Sequence, residues 1–238
     1  MQKYVHIRNH IEKEAPSFKS YIDNILYGTQ ISKLINYFLD QTEVYVFSGV
    51  IRNYLLGYGD AVNNRDYDFV VANLKKIEIP EYLIKDLHYK RNKFGGYKIL
   101  ENGLEFDIWG LEDTWGIVKR KETNPDAISL IHSAFFNFSA IAFDYNKSEF
   151  VFGDDFCRFY QSQKMDIVFS PNPFRESCIV NSLYYSQKYK LGIGPDLKKW
   201  IIKNHSSKTN YIPAQIKRYG HVIYDRTQIE NFVNSLEN

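Results

Sequence analysis

The chain has 238 residues, of which 44% are hydrophobic and 24% are charged, and its formal net charge is +2 at pH 7. That composition is typical of a globular protein with one large domain or two small ones. No apolar run approaches the roughly 18 residues of a membrane-spanning helix, and residues 1–14 lack the apolar centre of a signal peptide. Because Cys157 and Cys178 are too few for a disulfide framework, we expect a soluble cytoplasmic protein with no membrane partner.

The charges are distributed unevenly along the chain. Residues 160–238 hold 11 lysines and arginines and 6 aspartates and glutamates, whereas residues 1–159 hold 19 and 22. A basic C-terminal part can bind the phosphates of a nucleic acid, and an acidic N-terminal part can bind cations. A solvated, lysine-rich helical surface explains the same C-terminal excess, so the charge balance alone leaves both interpretations open.

Residues 1–40 show the spacing of apolar residues that is typical of helices. We expect two helices here, separated at Pro16-Ser17, with Ser17 as the N-cap of the second. The segment contains no cluster of residues that points to chemistry, and we interpret it as a packing element.

A strand, a turn, a helix and a second strand are predicted next. The apolar strand Tyr45–Phe47 breaks at Ser48-Gly49, and an amphipathic helix over residues 50–56 ends at Gly57. A polar loop then leads into a hydrophobic strand over residues 65–71.

Two aspartates stand at the start of that second strand. Residues i and i+2 of a strand point to the same face, so Asp66 and Asp68 present their carboxylates side by side. Two like charges that close repel each other, and the arrangement is favourable when a cation binds between them. The pattern therefore predicts a metal-binding tip, and a solvated pair at the end of a loop is the alternative.

A β-hairpin is predicted over residues 97–109. Asn102-Gly103 is a strong two-residue turn signal between strands over residues 97–100 and 104–109. On the second strand, Glu105 and Asp107 share one face. Asp107 is thus a polar residue on a strand that can lie against the first carboxylate pair, and an exposed strand position is its alternative role.

The rest of the chain adds a further hairpin and then helices. This order indicates an α+β fold class with two domains, residues 1–160 and residues 161–238, the second of them helical. The predicted hairpin covers residues 138–145 and 149–152, and the predicted C-terminal helices cover residues 174–191, 196–203, 212–218 and 227–236.

Four segments resemble motifs of one family, that of the bacterial-type poly(A) polymerases and class II CCA-adding tRNA nucleotidyltransferases. The first is SGVIRNYLLG followed by RDYDFVV, where the family has GG-x-VRD-x-LLG, a loop and D-x-D. The others, in the family's order, are FGGYKILENGLEFDIW, FNFSAIAFDYNKSEFVFGD and ESCIVNSLYYSQKYKLGIGPD. Together they cover residues 42–204. The resemblance implies a nucleotidyltransferase (polymerase beta-like) head with a mixed sheet, followed by a small all-α, neck-like domain.

The resemblance also implies a reaction. A metal-dependent, template-independent nucleotidyltransferase transfers a nucleoside monophosphate from a nucleoside triphosphate to an acceptor hydroxyl and releases pyrophosphate. Asp66 and Asp68 are expected to bridge two divalent ions, and Asp107 to complete the ligands of one of them. Mg²⁺ is the expected ion, because hard cations prefer carboxylate oxygens. The expected acceptor is an RNA 3′ end, that of a tRNA included.

Five residues are candidates for binding the nucleotide. The backbone N–H groups of Ser48 and Gly49 can cradle a phosphate, or they form an ordinary turn and helix cap. Arg52 either reaches a phosphate or pairs internally with the aspartates, and Arg65 is better explained as a structural ion-pair partner. Glu176 can contact the base, although a solvent-facing glutamate is the simpler interpretation.

The departures from the family concern residues that hold the nucleotide. Ser48 stands where the family has its first glycine, and Asn53 where it has the aspartate after the arginine. Of the base-selecting E-D-x-x-R element only Glu176 is retained. We therefore expect relaxed or altered nucleotide choice rather than a housekeeping CCA-adding activity. The positions of the family's RRD-x-x-x-N element are occupied by Ser133, Ala134, Phe135 and Ser139.

Two other functions remain open. One is transfer to a small molecule or a protein hydroxyl, as in antibiotic-modifying or toxin-type nucleotidyltransferases, and the other is a catalytically inactive RNA-binding module. The sequence leaves the oligomeric state undetermined. RNA is the expected partner of the basic C-terminal helices, whose candidate phosphate contacts are Lys188, Lys190, Lys198, Lys199, Lys203, Lys208, Lys217 and Arg218.

Overall fold

A computed structural model describes residues 3–58, 66–91 and 95–237. The chain separates into two compact units, one of residues Met1–Ala134 with Phe138–Cys157, the other of residues Phe135–Asn137 with Arg158–Asn238. The first unit carries a mixed sheet with helices and the second is mostly helical, which confirms the predicted α+β class. None of the helices in the described ranges has the length and hydrophobicity needed to cross a membrane.

The helices and strands alternate irregularly along the chain. The helices are α1 (Val5–Lys13), α2 (Ala15–Leu26), α3 (Gln30–Leu39), α4 (Gly49–Leu55), α5 (Glu81–Ile84), α6 (Trp115–Arg120), α7 (Ala127–Ile131), α8 (Asp154–Ser162), α9 (Arg175–Lys188), α10 (Pro195–Asn204), α11 (Ile212–Tyr219) and α12 (Arg226–Glu237). The strands are β1 (Val44–Phe47), β2 (Asp66–Val71), β3 (Tyr89–Arg91), β4 (Tyr97–Glu101), β5 (Leu104–Gly110), β6 (Ile141–Asp144), β7 (Glu149–Phe152), β8 (Lys164–Met165) and β9 (Gly192–Ile193).

The seven strands of the first unit have the order β3-β4-β5-β2-β1-β6-β7. Only β2 and β5 run parallel, and the other neighbours are antiparallel. The predicted hairpins β4–β5 and β6–β7 are both confirmed. The order places β2, which begins with the two aspartates, directly beside the strand that carries Asp107.

The sheet is apolar on both faces away from its acidic end. On one face, the ring centroid of Phe18 in α2 lies 5.0 Å from that of Phe143 in β6. On the other face, Val70 of β2 belongs to a buried cluster with Ile117 of α6 and Leu130 of α7. Because Val70 is at even spacing from Asp66 and Asp68, the two aspartates share the face that α6 and α7 cover further along the strand.

The N-terminal region differs from the prediction of two helices. It forms three, and the first break falls at Glu14, so that Pro16 and Ser17 lie inside the first turn of α2. Proline is well tolerated there, because the first N–H groups of a helix have no partner within it. The second break is at Gly28, whose φ of 73° favours glycine. Thr29 caps α3 by accepting a hydrogen bond from the Ser32 N–H at 3.1 Å.

The second unit contains a short parallel pair, β8–β9, beside the predicted helices. Asp166 follows β8 and is buried. Its Oδ1 accepts hydrogen bonds from the N–H of Leu197 at 2.7 Å and of Ile167 at 3.0 Å. Leu197 lies in the first turn of α10, so the carboxylate satisfies a donor that the helix itself leaves unpaired. Asn137 holds the same segment by accepting from the Asp166 N–H.

Candidate active site

Four carboxylates lie together on one face of the central parallel strands. In the register of β2 and β5, Asp66 is opposite Glu105 and Asp68 is opposite Asp107. Opposite residues of paired strands point to the same face, and neighbouring strands are about 4.8 Å apart. The backbone therefore brings the three predicted aspartates together and adds Glu105, a residue that the sequence placed on this face without assigning it a role.

A lysine contacts this acidic face. Lys98 of β4 is opposite Asp107 in the hairpin register. Its Nζ forms a hydrogen-bonded ion pair with Glu105 and lies 3.8 Å from Oδ2 of Asp107. Burial lowers the pKa of Lys98, but the hydrogen bond to Glu105 and the charges of Asp107, Glu105 and Asp66 outweigh that effect, so the pKa is raised. Sequence reasoning missed Lys98, although the Asn102-Gly103 turn fixes this register.

The donor chemistry of this face fits a divalent cation. As the side chains stand, no group of three or more His, Cys, Asp or Glu residues in the described ranges could hold a metal ion. Carboxylate oxygens are nevertheless the ligands that Mg²⁺ prefers, and four carboxylate groups occur here on adjacent strands. Asp66 is exposed, and Asp68 and Asp107 are half-buried, so the face is accessible to an ion. The assignment of these aspartates as metal ligands stays a prediction.

The turn before α4 has an unusual backbone. Ser48 has φ 59° and ψ −99°, a combination of backbone angles that residues other than glycine rarely adopt. Its N–H donates to the carbonyl of Ile141 at 3.0 Å, so this N–H is already used within the sheet. At Gly49, an added Cβ would meet no described atom within 4 Å. The backbone of this turn is therefore strained at Ser48, and there is open space beside the Cα of Gly49.

Arg52 is buried and makes internal contacts. Its Nε and Nη2 donate to Oδ1 of Asn53 at 3.0 and 2.8 Å. The guanidinium also lies 4.9 Å from the ring centroid of Phe138, within the range of a cation–π interaction. These contacts are internal to the unit, and the two roles that the sequence left open for Arg52, at a phosphate or beside the aspartates, stay predictions. Asn53 is the residue that replaces the family's aspartate.

The remaining candidates lie elsewhere or outside the described ranges. Arg65 falls in the segment 59–65, which is outside the described residues. Glu176 belongs to the second unit, in the first turn of α9, and is half-buried. Burial, and then the charge of Glu176, raise the pKa of Cys178 to about 12.

No family model matches the sequence, and no curated protein matches it. Solved structures do match. A CCA-adding enzyme with ATP aligns with a TM-score of 0.58 at 16% identity, over 87% of this chain and 52% of that one. A tRNA nucleotidyltransferase complexed with a primer tRNA and an incoming ATP analog has a TM-score of 0.55 at 18% identity, and the alignment covers 87% of this chain and 60% of that one. The Thermotoga maritima CCA-adding enzyme complexed with tRNA has a TM-score of 0.56 at 17% identity, and the alignment covers 86% of this chain and 51% of that one.

The chain has the nucleotidyltransferase fold of the CCA-adding enzymes. The expected mixed sheet, with helices and a following helical region, is thereby confirmed. At these identities the likeness concerns the fold alone, since one fold supports different functions. The chain spans between about half and three-fifths of the length of these matched structures.

Within this nucleotidyltransferase fold, the positions of the RRD-x-x-x-N element serve packing. An added Cβ on Gly116 of α6 would lie 2.6 Å from the Cβ of Ser133, so the two backbones approach closely. Such an approach leaves no room for a side chain at residue 116. Phe135 packs edge-on against Phe136 and against Trp200, with centroid distances of 4.7 and 5.0 Å. Where the resembling family has charged residues, Ser133 therefore lies against the backbone of Gly116 and Phe135 packs against two aromatic rings.

Proposed function

We propose that this protein is a nucleotidyltransferase that transfers a nucleoside monophosphate from a nucleoside triphosphate to a hydroxyl at an RNA 3′ end, with tRNA as the candidate RNA. The observation that carries the proposal is the pairing of Asp68 with Asp107 on the parallel strands of this fold, with Asp66 two residues before. Paired carboxylates on adjacent strands suit a site that binds divalent cations and a triphosphate.

Each residue has a proposed role in that reaction. Asp66, Asp68 and Asp107 would hold Mg²⁺, in a two-metal site, and would orient the phosphates through it. The metal would supply a lower pKa for the attacking hydroxyl and positive charge beside the departing pyrophosphate. Gly49, where the backbone is open, lets a phosphate approach the start of α4. Arg52 has no proposed contact with the nucleotide, because its guanidinium donates to Asn53 and lies over the ring of Phe138.

The second unit is the proposed RNA-binding part. Several lysines of α9 to α11 are exposed, and the neighbours solved with tRNA have the same fold. Phosphate contacts of lysines supply affinity that does not depend on the nucleotide sequence. We propose a head domain of residues 1–160 and a neck-like domain of residues 161–238, in a cytoplasmic protein.

The direct test is a transfer assay with each of the four labelled nucleoside triphosphates, Mg²⁺ and total RNA. Wild type should label RNA with one or more nucleotides, and Asp66→Ala should abolish the labelling. Asp86→Ala, which removes an exposed carboxylate outside the acidic face, should behave as wild type. The proposal is wrong if wild type labels no RNA, or if Asp66→Ala labels it equally well. Label in a small molecule or in protein would identify a different acceptor for the same chemistry.

A second candidate function is that of a catalytically inactive RNA-binding module. Ser133 favours it, because this uncharged residue stands where the resembling family has a nucleotide-holding arginine and it lies against the backbone of Gly116. The retained carboxylates argue for an active enzyme. Titration calorimetry separates the two functions. The inactive module would bind RNA, but no heat of binding would be measured when Mg²⁺ and a nucleoside triphosphate are added.

A further inference from the structure

The ammonium group of Lys98 lies where a cation would be expected to bind. It forms an ion pair with Glu105, and its distance to Oδ2 of Asp107 is 3.8 Å. The ammonium therefore contacts two of the four carboxylates that the β2–β5 register brings together.

The charge balance of this face explains why a lysine is favourable there. Asp66, Asp68, Glu105 and Asp107 bring four negative charges onto two adjacent strands, and their repulsion opposes folding. Lys98 offsets one of them. It is half exposed, and a lysine has a flexible four-carbon stem, so it can move away without disturbing the strand.

We propose that Lys98 is a built-in counter-ion of the acidic face and that it competes with a divalent cation for the carboxylates of Glu105 and Asp107. The proposal rests on the cation site of the proposed function and adds a positioning residue to it. A carboxylate oxygen that accepts a hydrogen bond from an ammonium is less available to a metal ion. Binding of the cation therefore requires Lys98 to release these oxygens, which lowers the affinity of the protein alone for the ion.

The neighbouring strand supplies a matched control. Lys90 of β3 is opposite Lys98, so it lies on the same face but one strand further from the carboxylates. Lys90→Met removes the same charge from a position that does not adjoin β5. Lys98→Arg keeps the charge at the site and tests whether the ammonium itself or only a positive charge is needed.

The test measures binding of Mn²⁺ or Mg²⁺ alone, without nucleotide or RNA, by titration calorimetry and by thermal melting. Lys98→Met should bind the ion about two to five times more tightly than wild type. In metal-free buffer its melting temperature should fall by on the order of 1–3 °C, and the added ion should raise it more than in wild type. Lys90→Met and Lys98→Arg should both resemble wild type.

The outcomes separate this inference from the proposed function. If wild type binds the ion and Lys98→Met binds it with equal or lower affinity, the counter-ion role is wrong and the metal site stands. An equal gain in Lys90→Met also overturns the counter-ion role. If neither wild type nor Lys98→Met binds a divalent ion, the metal site and the counter-ion role are both wrong. Asp68→Asn should remove the heat of binding, which shows that the heat arises at this face.

Discussion

Asp68 and Asp107 lie directly opposite each other on two parallel strands, although 38 residues separate them in the sequence. A parallel pair needs a crossover connection, and here the segment that contains β3 and β4 provides it. The hairpin β4–β5 then adds Lys98 to the same face. One crossover and one two-residue turn thus assemble the whole acidic face.

Asp107→Asn tests the contribution of the carboxylate opposite Asp68. The substitution keeps the size of the side chain and one acceptor oxygen but removes the charge that would hold a divalent ion. We expect nucleotide transfer to fall on the order of 100-fold or more, with little change in melting temperature because the side chain is half exposed. Transfer rates at saturating nucleotide, measured beside those of Asp86→Asn, provide the comparison. A transfer rate near that of wild type would exclude Asp107 from the site.

Ser48→Gly should stabilise the protein. The φ of 59° and ψ of −99° at Ser48 cost free energy for a residue with a Cβ, and glycine adopts them without strain. The hydrogen bond to Ile141 uses the backbone and is retained. We expect the free energy of unfolding in urea to rise by about 1 kcal/mol. Asn102→Gly, at φ 52° in an Asn-Gly turn where asparagine is favoured, should give no comparable gain.

Two glycine-to-alanine substitutions should differ in their effect on stability. Gly116→Ala places a Cβ 2.6 Å from the Cβ of Ser133 and should lower the free energy of unfolding by about 1–3 kcal/mol. Gly49→Ala meets no described atom within 4 Å and should leave stability unchanged or slightly higher. Urea unfolding curves give both values. If Gly49→Ala in addition weakens binding of a nucleoside triphosphate, its backbone lies close to the phosphates.

Cys178 should make stability fall in alkaline solution. Burial, followed by the charge of Glu176, raises the pKa of this thiol to about 12, whereas an unfolded thiol ionises near pH 8.5. Between these values the unfolded chain binds fewer protons than the folded one, so the free energy of unfolding decreases as pH rises. The contribution is present in full below about pH 8.5, and by pH 10 about 2 kcal/mol of it is lost.

The control for this effect is Cys178→Ala. It should lower stability below pH 8.5 because the buried side chain packs less well, and it should flatten the decline between pH 8.5 and 10. Urea unfolding at a series of pH values measures both. An unchanged slope would show that other groups cause the alkaline decline. In the native protein at pH 8 a thiol reagent should leave Cys178 unlabelled, because the side chain is buried.

Lys199 and Lys203 of α10 are exposed one helical turn apart and should contribute to RNA affinity. Replacing both lysines by glutamine should weaken the binding of RNAs of unrelated sequence to a similar extent. The slope of log affinity against log salt should become shallower by about 1 for each phosphate that the variant no longer neutralises. The variant Lys13→Gln/Lys33→Gln removes the same charge from exposed positions of α1 and α3. If the affinity of the two variants falls equally, the basic helices have no special role.

Local sequence patterns were sufficient for much of the site. The alternation of apolar and polar residues placed Asp66 with Asp68, and Glu105 with Asp107, on single faces, and Asn102-Gly103 defined the hairpin. These features depend on strand periodicity and turn chemistry, which act over a few residues. The break in the N-terminal helices was placed incorrectly, because a proline is compatible with both a helix start and a helix end.

Other features of the site depend on contacts between distant residues. The burial of Arg52 against Phe138 and the approach of Gly116 to Ser133 join segments whose local patterns carry no information about each other. The position of Lys98 opposite Asp107 follows from the hairpin register, but only the side-chain geometry shows its ion pair with Glu105. The roles of Arg65 and Glu176 and the domain boundary at residue 160 stay predictions.

The sequence by itself determined the strands, the hairpin turn and the carboxylates that point to one face, because strand geometry repeats every two residues and turns are set by a few neighbouring residues. Tertiary structure decided what surrounds them. It paired β2 with β5, buried Arg52 and brought Lys98 into contact with Glu105. The physical reason is that pairing and burial depend on which segments meet when the core forms, and that choice is made by the packing of the whole unit.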